Sequence, residues 1–138
     1  MKKFAVYLAV AVAFVGTALH GGTKEDEAAI REMLVSDVKA AQSENLEVAV
    51  SHVDEPMRKQ VRSMFTQLFE MYDLDYKLLD IKILSVGKDT AKVEVTMETR
   101  KRKGPQFRDN RTVVVHTLVR RADGWKFSGS EIRKVEFL

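Results

Sequence analysis

Cysteine is absent from this 138-residue chain. That excludes a disulfide framework, cysteine-ligated zinc, iron–sulfur clusters and a thiol nucleophile together. It also removes the usual marker of an oxidising compartment. The sequence equally lacks a glutamate–histidine metal spacing, a glycine-rich phosphate loop and a Gly-x-Ser-x-Gly nucleophile elbow. There is no internal repeat and no low-complexity stretch. Few aromatics fall among the clustered cations, which argues against base stacking on nucleic acid. What is present is globular in character, with 45% hydrophobic and 31% charged residues.

The N-terminus reads as an export signal. Lys2 and Lys3 form a positive region, Phe4 to Val15 is uninterruptedly apolar, and Gly16-Thr17-Ala18 supplies small residues for a cut after Ala18. The apolar run is shorter than the ~20 residues of a spanning helix. No cysteine stands at the cut for lipid attachment. Residues 1–18 are therefore expected to be a signal peptide and 19–23 a flexible joint around Gly21-Gly22. Residues 24–138 form a single domain, of a size that can bury a core without staples. The expected location is extracytoplasmic, periplasmic or secreted.

Charge is divided along the chain. Residues 23–80 carry 7 basic and 13 acidic side chains, and residues 81–138 carry 14 and 7. Such a division bears on partners and solubility.

Periodicity places the elements. Thr23 and Asp26 suggest a capping box, and Ile30, Met33, Leu34, Val38 and Ala41 recur at helical spacing over residues 24–42. A short second helix begins at Asn45-Leu46-Glu47. Pro56 opens a third, running to Tyr72, with a stripe of Met57, Val61, Met64, Phe65, Leu68 and Tyr72. The period then changes. Strands are expected over 76–86, with Leu79, Ile81 and Ile83 on one face, and over 92–102, with Val93, Val95 and Met97 inward. The strand over 107–121 is apolar on both faces around Val113, Val114 and Val115, with Val113 and Val115 assigned inward. Ala122-Asp123-Gly124 closes a hairpin into the last strand, which bends near Gly129.

This order, together with the polar joint Ala41-Gln42-Ser43-Glu44-Asn45-Leu46-Glu47 and the hairpin Val119-Arg120-Arg121-Ala122-Asp123-Gly124-Trp125-Lys126-Phe127, resembles the nuclear transport factor 2-like superfamily, which includes ketosteroid isomerase-like and SnoaL-like groups. The resemblance spans residues 24–138 on motifs of low specificity. It implies an α+β fold: three N-terminal helices packed on a curved four-stranded antiparallel sheet, a cystatin-like cone. It also implies a pocket between helices and sheet, with Trp125 delivered into the core, and dimers made through the sheet. Phe65, Tyr72, Tyr76, Met97 and Trp125 are the candidate pocket residues, the two tyrosines supplying polar handles. The superfamily's isomerases and dehydratases carry Asp, His or Tyr in that pocket. No such catalytic position can be matched here, so no catalytic residue, metal or cofactor is assigned.

Other candidates have plain readings. His20 falls in the signal or joint, His52 on a surface or rim, and His116 on the sheet face away from the helices. Asp54/Glu55 and Asp73/Asp75 suit capping and turns. Arg100, Lys101, Arg102, Lys103, Arg108 and Arg111 cluster at one hairpin tip as a patch for an acidic protein or anionic surface, or simply as a solvated charge run. The expected function is an exported non-enzymatic ligand-binding or protein-assembly module, its ligand small and apolar. The alternative is a small-molecule isomerase, dehydratase or related lyase using the pocket. A homodimer through the outer sheet face is expected from Val114, His116 and Leu118, assigned to that face.

Overall fold

The computed structural model describes residues 22–138; the signal segment 1–18, His20 and most of the joint lie outside the described residues. Helices α1 (Lys24–Gln42), α2 (Leu46–Ser51) and α3 (Glu55–Met71) precede strands β1 (Asp73–Val86), β2 (Thr90–Lys103), β3 (Asn110–Arg121) and β4 (Gly124–Phe137). The first helix starts where the sequence places it. The Thr23 hydroxyl accepts from the Asp26 amide at 3.0 Å, and the Asp26 carboxylate accepts from the Thr23 amide at 3.3 Å. This reciprocal pair satisfies two of the helix's orphan donors. Asn45 caps α2 by accepting from the Val48 amide at 3.2 Å.

Two glycines are demanded by geometry. Gly124 has φ 120° in the β3–β4 hairpin, and Gly104, after β2, has φ 128°. A Cβ on Gly104 would stand 2.6 Å from the Met71 carbonyl oxygen, so any other residue there is both strained and obstructed.

The strands form one antiparallel meander in the order β1-β2-β3-β4. The core gathers Ile30, Met33 and Leu34 of α1 against Ala91, Val93 and Val95 of β2, Leu118 of β3 and Trp125 of β4, all buried. Leu78, Ile81, Ile83, Val86 and Phe127 pack around them.

Four expectations are corrected here. The sheet is not the curved cone: it is open, with β1 and β4 left as separate edges. Bulges, which add bend and twist, interrupt only the outer pairs. The central β2–β3 ladder keeps unbroken register from Thr90↔Val119 to Thr99↔Asn110. Nor do three helices pack on the sheet as a layer, because no residue of α3 is buried, although its stripe has helical spacing. The phase of β3 is the reverse of that expected. Val93 faces His116, Val95 faces Val114 and Ala91 faces Leu118, so these β3 residues share the helix side. Val113 and Val115, paired with Thr96 and Glu94, take the opposite face, where Val115 is nonetheless buried. A strand apolar on both faces carries no alternation to set its phase, and register with β2 decides it. Finally, a bulge between Leu78 and Asp80 turns Leu79 out, 39% exposed, and puts Leu78 beside Ile81 and Ile83.

Candidate functional site

An apolar cleft of about 200 Å³ lies under α3, lined by Val53, Met57, Val61, Met64, Phe65 and Phe127, with Asp37, His116 and Ser130 as its polar lining. Its construction follows from how α3 is tied. The connector before it pairs with β4: the Asp54 amide donates to the Phe127 carbonyl and the Phe127 amide to the His52 carbonyl, each at 2.8 Å. Val53 and Phe127 form an isolated parallel bridge near the start of the β4 edge. Arg121 grips the buried Asp54 carboxylate through two contacts of 2.8 and 2.9 Å, and its guanidinium holds that carboxyl below the usual range. At the far end Tyr72 leads directly into β1 and packs on Phe107, with ring centroids 5.6 Å apart. Between these ties Arg62 holds Glu47 of α2 through two exposed contacts of 3.0 and 2.8 Å, and the stripe residues Val61, Phe65 and Leu68 are only half-buried. Phe65 and Phe69 stack on each other at 5.4 Å, and Met64 is 54% exposed.

The polar corner joins three elements. His116 Nδ1 lies 2.6 Å from the Ser130 hydroxyl, and its ring sits edge-on to Phe127 at 4.8 Å. Burial among these groups pushes its pKa down to about 4, against a small opposing pull from Asp37, so His116 is neutral at physiological pH. Asp37 Oδ1 meets His52 Nδ1 at 3.0 Å, and His52 Nε2 lies 3.3 Å from the Ser36 hydroxyl. The order Ser–His–Asp has the connectivity of a nucleophile relay. Ser36 sits inside α1, however, where neighbouring amides serve the helix ladder and cannot converge on an oxyanion. The contacts instead lock α2 onto α1.

The sequence-derived pocket residues separate in space. Phe65 lines the cleft. Trp125 is buried in the core, with the Arg120 guanidinium 4.5 Å above its ring, and borders a second, more polar recess with Glu32, His52 and Lys126. Met97 pairs with Leu78 and Thr112, and Tyr76 with Thr99, further along the sheet. Burial raises the Tyr76 pKa to about 12, and its amide donates to the Gln42 side chain at 2.7 Å. Tyr72 closes α3. His116, Asp37 and Ser130 are the polar cleft residues that sequence reasoning missed, and of its five pocket candidates Phe65 alone is in the cleft lining. His116 was lost with the β3 phase, and Asp37 has no signal beyond lying one turn after Met33.

The basic cluster is largely engaged. Arg100 meets Glu98 at 3.0 Å, Arg102 meets Asp73 at 3.1 Å, and Arg111 meets Glu98 at 3.5 Å. Lys101 donates to the Gly104 and Pro105 carbonyls, and Arg108 lies 4.0 Å over the Phe137 ring. Lys103 is exposed. Among the described residues no group of three or more His, Asp, Glu or Cys side chains is placed to hold a metal ion.

Comparison with known proteins gives one family. The model described as "Anti-sigma-I factor RsgI9, C-terminal domain" matches residues 32–138. The anti-sigma-I factor RsgI9 of Acetivibrio thermocellus is 31% identical over 81 residues, which is 59% of this chain and only 12% of that protein's length. Among solved structures, a nuclear transport factor 2-like protein of Pseudomonas putida superposes with TM-score 0.71 at 9% identity, over 85% of this chain and 97% of its own. A cystatin-like protein of Nostoc punctiforme gives 0.68 at 13%, over 83% and 93%. A ketosteroid isomerase-like protein of Erwinia carotovora gives 0.59 at 14%, over 81% and 99%. At these identities the structures show a shared nuclear transport factor 2-like, cystatin-like fold, as the resemblance implied, and nothing about activity.

Proposed function

The chain belongs to the family of the RsgI9 C-terminal domain, and from that premise we propose that it is a non-enzymatic regulatory module that binds a small apolar ligand in the cleft under α3. The observation that carries this reading is a helix with an apolar stripe and no buried residue, standing over an apolar floor. Packing of an amphipathic face supplies most of a helix's stability in proteins. An occupant of the cleft would supply what the fold withholds, and would couple occupancy to the order of α3 and its connector. That is a regulatory output without chemistry.

The lyase alternative would use Asp37 or His116 as base. His116, with a pKa near 4, is a weak base at neutral pH. Asp37 already accepts from His52. The same proposal places the domain outside the cytoplasm after cleavage at Ala18, on the strength of the tripartite N-terminus. Sequencing the N-terminus of native-host material tests this, and an intact Met1 on a soluble cytoplasmic product defeats it.

The cleft itself is tested on the folded protein with 4-(dimethylamino)benzonitrile, a neutral one-ring dye whose emission reports the polarity around it. The expected result is saturable fluorescence at one site per chain, lost in Met64→Glu while the urea midpoint stays within experimental scatter. Dye binding that ignores Met64→Glu, or no binding at all, overturns the reading.

A further inference from the structure

The apolar cleft has one polar corner, and the composition of that corner restricts what can sit there. Asp37 reaches it from α1, His116 from β3 and Ser130 from β4, while α3 contributes Met57, Val61, Met64 and Phe65. Asp37 gives one carboxylate oxygen to His52, leaving Oδ2 to accept another bond. His116 Nδ1 and the Ser130 hydroxyl are occupied with each other at 2.6 Å. The corner therefore presents an acceptor with a spare lone pair at the end of an apolar slot. A cavity of about 150 Å³ lined by aliphatic and aromatic side chains accommodates benzene. At about 200 Å³ this cleft has room for one ring and a short substituent.

Resting on the reading of the cleft as a ligand site, we propose that its ligand class is a neutral single-ring molecule bearing one hydroxyl, the ring between Met64, Phe65 and Phe127 and the hydroxyl donating to Asp37. A neutral donor suits the site better than a cation, because an ammonium would lose its hydration among Val53, Val61 and Phe127. An anion is disfavoured by the carboxylate itself. An ether or a bare hydrocarbon leaves the Asp37 oxygen desolvated without a partner, and that is the larger penalty.

The experiment is displacement of the bound dye from the intact protein at pH 7 by benzyl alcohol, benzyl methyl ether, toluene and benzylammonium. Benzyl alcohol is expected to compete at concentrations about tenfold lower than the ether or toluene, since a hydrogen bond to a charged acceptor is worth about that factor. In Asp37→Asn, checked for an unchanged helical circular dichroism spectrum, the preference for alcohol over ether should fall to about twofold. Equal competition by alcohol, ether and toluene overturns the hydroxyl assignment while leaving the apolar site standing. So does tighter competition by benzylammonium, or failure of all four against a dye that does bind. Failure of the dye itself removes the underlying reading, and this inference with it.

Discussion

The helices α1 and α3 have similar lengths and comparable apolar spacing, yet the fold treats them oppositely. α1 buries Ile30, Met33, Leu34 and Ala40. Its N-terminus is tied by Arg120 to Asp26 and its middle by Arg31 to the Ile81 carbonyl. α3 has no fully buried residue, only a half-buried stripe, and is held at its two ends and by the exposed Arg62–Glu47 pair between them. The sheet beneath shows the same division. Val93, Leu118 and Trp125 lie under α1, almost wholly hidden, whereas Ile132, Val135 and Phe137 at the other end are 64, 45 and 52% exposed. Stability and binding surface are thus assigned to different regions. An apolar helical stripe shows that a helix can bury a face, and does not show that it does.

The comparison breaks most readily at Trp125. Truncation to Ala removes a large aromatic from the closed half and should cost about 3–5 kcal/mol in urea melts. Met64→Ala in the open half should stay within about 0.5 kcal/mol. Equal losses would mean that α3 is as well packed as α1.

A smaller effect sits at the seam. His116 has a folded pKa of about 4, against an ordinary value of 6.5. Between those values the unfolded chain binds a proton that the folded one refuses, so stability is full above about 6.5 and drains away as pH falls to about 4. With allowance for the solvent on its open side, the loss should be about 1–2 kcal/mol. His116→Gln should flatten that part of the urea-midpoint profile between pH 6.5 and 4. An unchanged slope would place the acid sensitivity elsewhere.

Smallest in energy, and most diagnostic, is native-state hydrogen exchange. Amides in the middle of α3, around Met64 and Phe65, should exchange through local opening well below the global stability, and those of α1 around Ile30 and Leu34 close to it. Saturating the cleft with the dye should raise protection in α3 selectively. Uniform protection across both helices would erase the distinction.

Much of the architecture was legible because each element states its own period. The capping box at Thr23 and Asp26, the Pro56 start, the Asp-Gly hairpin at 123–124 and the inward Val93 and Val95 all depend on local rules. The expected bend near Gly129 falls one residue earlier, at the bulge around Ser128. Where a segment's own pattern is silent the reading failed. In β3, valines on both faces leave two phases equally plausible, and choosing the wrong one turned His116 away from the cleft it lines. The charge division was similarly ambiguous. Part of it is spent inside the fold, where Arg120, Arg121 and Arg102 of the basic half meet Asp26, Asp54 and Asp73 of the acidic half.

By itself the sequence determined the class of fold, the element order and the burial of Trp125, because turn chemistry and side-chain period act over a few residues. Only the tertiary structure decided that the sheet stays open, that α3 keeps only a half-buried stripe, and that Asp37, His116 and Ser130 share a corner. Those facts depend on register across the β2–β3 ladder and on the connector at His52–Asp54 docking against Phe127, contacts between residues 11 to 75 positions apart that no local pattern encodes.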